Sequence, residues 1–202
     1  MTDGLRKIRT AILISGRGNN MAALIQAAAT RSYPAEIVLV ISNKADAKGV
    51  ERAQDSGIPA KVIASNSFAD RYEFEDALDR ALREANVELV CLAGFMRILS
   101  PAFIGEWPNR ILNIHPSLLP KFRGLHTHEQ ALEAGAKLHG CTVHLVTAEL
   151  DGGPIIAQTA VPVLSQDTPE TLADRVMAEE IRLYPKALSR IAANLQKGRS
   201  AI

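Results

Sequence analysis

No stretch of this chain reaches the roughly 18 consecutive apolar residues that a membrane-spanning helix needs, so none is expected. The opening segment, MTDGLRKIRTAILISG, lacks the long apolar core and small-residue cleavage site of a secretory leader. Charge of one sign is lacking too. The 23 Lys and Arg residues face 22 Asp and Glu, a formal net charge of +1. That balance gives no global electrostatic case for a nucleic-acid or membrane partner. Cysteine is nearly absent. Cys91 and Cys141 each sit in an apolar segment and read as buried free thiols, not a disulfide framework. The expected compartment is therefore reducing and cytoplasmic. No repeat, low-complexity tract or Pro/Ser-rich linker divides the chain, which points to one domain over residues 1–202. What is there is 47% hydrophobic sequence, ample at this length to bury a core unaided by disulfides or a structural metal.

The apolar pattern alternates between two periods. Thr10–Ile14, Glu36–Ile41, Ala60–Ile63, Leu89–Ala93 and Ile111–Ile114 read as strands; Asn20–Ala29, Ala47–Ser56 and Phe68–Ala85 read as helices. Continuous apolar strands alternating with helices predict βαβ units and an α/β fold: a Rossmann-like, open, mainly parallel sheet with helices on both faces. After Pro120 the pattern changes. Thr127–Ala134 reads as a helix, and Cys141–Val146 and Ile155–Val161 as strands that extend the sheet, partly antiparallel. Thr168–Leu195 reads as one long helix or two joined near Tyr184-Pro185. Ligands of such sheets sit beyond the carboxyl ends of the strands.

Three groups of residues stand at those ends. In the loop after the first strand, Gly16 and Gly18 allow a tight turn, and the following helix offers free N–H groups to an anion. The loop departs from the dinucleotide fingerprint because Met21 occupies the third glycine position. Asn113 and His115 lie two apart in a strand and so point to one face. A side-chain amide beside an imidazole can donate to a developing oxyanion. Asp151, in the turn Glu149–Pro154, is the expected third member: a carboxylate beside His115 would favour its imidazolium and fix its orientation. His126 and His128 lack the further ligands of a familiar metal set, and no metal is expected. His144 lies in a strand and either lines the site or is held by hydrogen bonds. A mobile, substrate-covering loop is expected over Pro116–Thr127.

Taken together, SGRGNN (Ser15–Asn20), LAGFMRILSPAFI (Leu92–Ile104), LNIHPSLLPKFRGLHTHEQAL (Leu112–Leu132), HGCTVHLVTAELDGGPIIAQ (His139–Gln158) and VMAEEIRLYP (Val176–Pro185) resemble the folate-dependent formyltransferases. GLHTH and the SGxG loop resemble the phosphoribosylglycinamide formyltransferase branch. The resemblance implies formyl transfer from 10-formyltetrahydrofolate, as co-substrate, to the amine of 5′-phosphoribosylglycinamide, in purine biosynthesis. It implies that Gly18, Asn19 and Asn20 hold the ribonucleotide phosphate and Glu180 its ribose. Arg71, Met96, Arg97, Ile98 and Leu99 would line the folate pocket, and Asn113 would serve folate and catalysis together. His115 and Asp151 complete the catalytic set. Residues 1–100 would form the ribonucleotide half and 89–202 the folate and catalytic half. The implied partners are small molecules, with the chain a monomer or homodimer. The family usually has Ser or Thr where this chain has Asn19. Another folate-linked formyltransferase, a formyltetrahydrofolate hydrolase and a catalytically silent binding module are the competing readings; the intact Asn113, His115 and Asp151 set argues against the last.

Overall fold

A computed structural model describes residues 6–200, so the first five residues of the segment weighed as a leader lie outside it. Strand β1 (Ile8–Ile14) is followed by α1 (Asn19–Ala28), β2 (Ala35–Ser42), α2 (Gly49–Asp55) and β3 (Ala60–Val62). Then come α3 (Arg71–Glu84), β4 (Leu89–Leu92), α4 (Pro101–Glu106), β5 (Ile111–His115) and α5 (Thr127–Glu133). The hairpin strands β6 (Leu138–Leu145) and β7 (Ile155–Pro162) precede the long helix α6 (Pro169–Gln196). The strands form one sheet in the order β3-β2-β1-β4-β5-β6-β7. The first five pair in parallel; β6 and β7 are antiparallel additions at one edge. This is the mainly parallel sheet with helices on both faces that the sequence predicts.

Alternation within each strand builds two cores. Ile12 and Ile14 of β1 face Met21 and Leu24 of α1 and the Leu172–Ala192 face of α6. Ala11 and Leu13 face Phe74, Leu78 and Leu82 of α3 and Phe103 of α4. Such double-sided burial requires strands without polar alternation. In β5, Leu112 and Ile114 belong to the first core and Ile111 to the second. Asn113 and His115 share the parity of Ile111 and therefore leave the sheet on the α3–α4 side.

One element differs from the sequence expectation, and a second settles an alternative that the sequence left open. Helix α4 was not foreseen: it has only six residues, too few to show a period, although Ser100 caps it and Pro101 opens it. Helix α6 runs unbroken through Pro185. The preceding Tyr184 is fully buried and its hydroxyl donates toward the carbonyls of Leu92 and Leu112. That packing outweighs the hydrogen bond that proline removes. Both cysteines are free and buried, and burial pushes each thiol up to about 12. No helix among the described residues is long and apolar enough to cross a membrane.

Candidate active site

Strand order reverses between β1 and β4: successive strands are added on one side after β1 and on the other after β4. Such a switch point opens a crevice beyond the strand ends. A cavity of about 640 Å³ lies there, lined by the segments after β4 and β5 and by the turn before β7. Asn113, His115 and Asp151 all line it, as do Met96, Arg97, Ile98 and Leu99. Exposed Met96 and Ile98 sit beside buried Phe95 and Leu99, an apolar wall suited to a flat ring.

The three catalytic candidates meet at one end of the cavity. His115 is buried, and its Nε2 donates to the carbonyl of Phe122 at 2.9 Å. That contact leaves Nδ1 for reacting groups; Asp151 Oδ2 lies 3.4 Å from it. The same Oδ2 accepts a 2.8 Å hydrogen bond from the Gly124 amide. Asp151 itself sits at φ 50°, in the left-handed region that non-glycine residues rarely adopt. Such backbone strain persists where surrounding structure enforces it. Asn113 pairs with His144 across β5 and β6, and its Nδ2 lies 3.2 Å from His144 Nε2. His144 Nδ1 faces the carbonyl of Leu145 at 2.9 Å, so Nδ1 carries the proton and Nε2 accepts from Asn113. Burial pushes the His144 imidazole down, favouring this neutral form. The Asn113 amide is thereby oriented, with a second N–H left for the cavity.

The loop expected to cover the substrate is tied to this group at its middle, and its two ends are tied to each other. Phe122 and Gly124 contact His115 and Asp151, while Thr127 Oγ1 donates to the carbonyl of Pro116. Phe122 and His126 both have positive φ. His126 faces Glu129, and His128 Nδ1 lies 3.1 Å from His139 Nε2. Burial pushes His139 down to about 4, so this pair is held neutral. The two histidines thus point to different partners.

A second polar group lies at the amino end of α1. Asn20 Nδ2 donates to Glu180 Oε2 at 2.7 Å, and both residues are buried. Burial pushes the Glu180 carboxyl up. Asn20 Oδ1 is buried without a protein partner among the described residues, an acceptor left for a ligand donor. Gly18 takes a left-handed conformation, and the backbone N–H groups of Gly18, Asn19 and Asn20 have no protein acceptor among the described residues. Glu180 belongs to the second half of the chain and Asn20 to the first. The contact therefore joins the two halves of the sequence.

Residues 8–188 match the family model described as formyl transferase. Over 178 residues the chain is 47% identical to the phosphoribosylglycinamide formyltransferase of Escherichia coli (strain K12), covering 88% of this chain and 84% of that one. The chain belongs to the formyltransferase family. It is also 52% identical to the trifunctional purine biosynthetic protein adenosine-3 of Gallus gallus over 93% of its own length, but spans only 19% of that protein. The crystal structure of phosphoribosylglycinamide formyltransferase from Brucella melitensis superposes with a TM-score of 0.89 at 55% identity, covering 93% of this chain and 97% of that one.

Within this member of the family, one expected residue stands apart. Arg71, at the first position of α3, is exposed and lies outside the cavity lining; its guanidinium sits 5.5 Å from the Tyr72 ring centroid. Its place at the α3 amino terminus, rather than on the segment after β4, sets it apart. Two unforeseen residues hold that segment. Ser15 Oγ accepts from the Met96 amide at 2.8 Å and donates to Asn43 Oδ1 at 2.5 Å. Buried Glu75 accepts from the Ser100 amide at 2.7 Å and from the Ser100 hydroxyl. The 96–99 wall of the cavity is thus clamped at each end, by the loop after β1 and by α3. Glu75 carried one sequence signal: it falls beside Phe74 on the apolar stripe of α3, where an unpaired carboxylate is out of place. Ser15, just past β1, carried none, and His144 carried only its strand position, which left it lining the site or held by hydrogen bonds.

Proposed function

We propose that this enzyme transfers the formyl group of 10-formyltetrahydrofolate to the amine of 5′-phosphoribosylglycinamide, yielding the formylated ribonucleotide and tetrahydrofolate in purine biosynthesis. The convergence of Asn113, His115 and Asp151 at one end of the apolar cavity carries this reading. The folate co-substrate supplies the activated formyl carbon. Met96, Arg97, Ile98 and Leu99 line the space for its ring, and Asn113 stands where ring and reaction meet. Gly18, Asn19 and Asn20 present donors to the ribonucleotide phosphate, and Glu180 with Asn20 accepts from ribose hydroxyls.

Attack of the amine turns the formyl oxygen into an oxyanion. The free N–H of Asn113 and the Nδ1–H of His115 stabilise it. Asp151, beside His115, supports the imidazolium and takes up the proton that the amine releases, directly or through water; collapse of the oxyanion then breaks the bond between the formyl carbon and the folate nitrogen, which takes that proton and leaves as tetrahydrofolate. The reading places the enzyme in the cytoplasm with small molecules as its partners.

Incubation with the phosphorylated glycinamide and a formylfolate should give turnover, followed by folate absorbance. Turnover with water alone would establish a hydrolase instead, and turnover only with charged methionyl-tRNA another formyltransferase.

The clamp at Ser100 gives a finer expectation. Glu75→Gln places an amide against two donors, so one hydrogen bond to a buried group is lost. KM for the formylfolate should rise roughly tenfold, with kcat and the ribonucleotide KM changed far less. Steady-state kinetics with each substrate varied in turn checks this.

A further inference from the structure

The proposed phosphate loop is held by a cation from the neighbouring helix. Arg52, exposed on α2, donates through one guanidinium nitrogen to the carbonyl of Arg17 at 2.8 Å and to Asn19 Oδ1 at 3.0 Å. Helix α2 is seated against the loop: the Gly49 amide donates to the carbonyl of Gly16 at 3.0 Å. A Cβ on Gly18 would come within 3.2 Å of Gly49 Cα. We infer that Arg52 is a phosphate-recognition residue of the ribonucleotide site, acting with Asn19. This rests on the reading above and deepens it.

Three geometric consequences support it. First, guanidinium has donors only, so the Asn19 atom facing Arg52 is its oxygen. The Asn19 Nδ2 then points away, and it has no protein partner among the described residues. Asn at this position thus serves as a donor whose orientation depends on Arg52. Second, in a trans peptide the C=O and N–H point in opposite directions. Fixing the Arg17 carbonyl toward Arg52 turns the Gly18 N–H to the other side, among the unpartnered amides that open α1. Third, Arg52 uses one nitrogen on the loop. Its other donors, on Nε and the second terminal nitrogen, have no protein partner among the described residues. A guanidinium with an open edge suits a phosphate, which it can engage with two parallel bonds.

The test compares the phosphorylated glycinamide with the same amine lacking its 5′-phosphate. Arg52→Ala should raise KM for the phosphorylated amine on the order of tenfold. The folate KM, and kcat/KM for the unphosphorylated amine, should stay within about twofold. Arg52→Lys keeps the charge but not the fork, and should fall between wild type and Arg52→Ala. Titration with ribose 5-phosphate, followed by calorimetry, should give the same order of affinities without turnover. An unchanged KM in Arg52→Ala, or an equal loss with both amines, would overturn the assignment. Absence of wild-type turnover with the phosphorylated amine would instead sink the proposed reaction, and the ribose 5-phosphate titration would still decide the role of Arg52.

Discussion

Asp151→Asn should lower kcat by on the order of a hundredfold or more while leaving both KM values within a fewfold. The substitution preserves shape. Its amide oxygen can still accept from Gly124, which now bonds Asp151 Oδ2 at 2.8 Å. What disappears is the negative charge 3.4 Å from His115 Nδ1, in a place where both side chains are almost fully covered. Water screens such a pair poorly, so the loss of charge is felt more than at a surface. The proton acceptor disappears with it. Circular dichroism and thermal melting should show a folded protein, which separates a chemical defect from a structural one. His115→Ala should be comparably slow. The two residues share a single contact, so the double variant should lose much less than the product of the single losses. Full multiplicativity would mean that Asp151 acts on the amine without His115, and a near-normal Asp151→Asn rate would remove it from the mechanism.

The sequence made this arrangement partly readable, and the limit is physical. Asn113 and His115 share one strand, and the two-residue period places them on one face whatever lies around them. The loop of Gly16 and Gly18 and the turn carrying Asp151 are likewise local, set by glycine and proline. The sheet class follows from unbroken apolar strands. Contacts fixed by pairing between distant segments were not readable in that way. His144 meets Asn113 because β6 lies antiparallel to β5 in one register, and a shift of one residue would turn it to the other face. Glu75 reaches Ser100, and Ser15 reaches Met96, across gaps of 25 and 81 residues. Arg71 shows the converse: a residue carried over by resemblance lands outside the cavity lining, because a helix start offers no guide to where a long side chain will lie.

The turn that brings Asp151 to His115 depends on one glycine, and Gly153→Ala should disable it. A Cβ at Gly153 would overlap the Leu145 carbonyl oxygen and lie 2.9 Å from the carbonyl carbon and 3.1 Å from Thr147 Cγ2. The first two are backbone atoms of β6, held by the bond from the Leu145 amide to the Pro154 carbonyl at 2.9 Å. Neither side can yield without breaking the β6–β7 pairing. Overpacking of this kind costs about 3 kcal/mol. For a domain of this size that lowers Tm by roughly 6–12 °C. Activity should fall further than stability, because displacing the turn moves the Asp151 carboxylate relative to His115, and misplacement by about 1 Å can cost a hundredfold. The neighbouring Gly152→Ala is the control. The three atoms nearest its Cβ all belong to the Glu149 side chain, which can swing away. The disturbed partner is the exposed Arg123–Glu149 ion pair, worth no more than about 1 kcal/mol. Melting curves and kcat for the two variants should therefore diverge sharply, and equal behaviour would show that the turn does not set the position of Asp151.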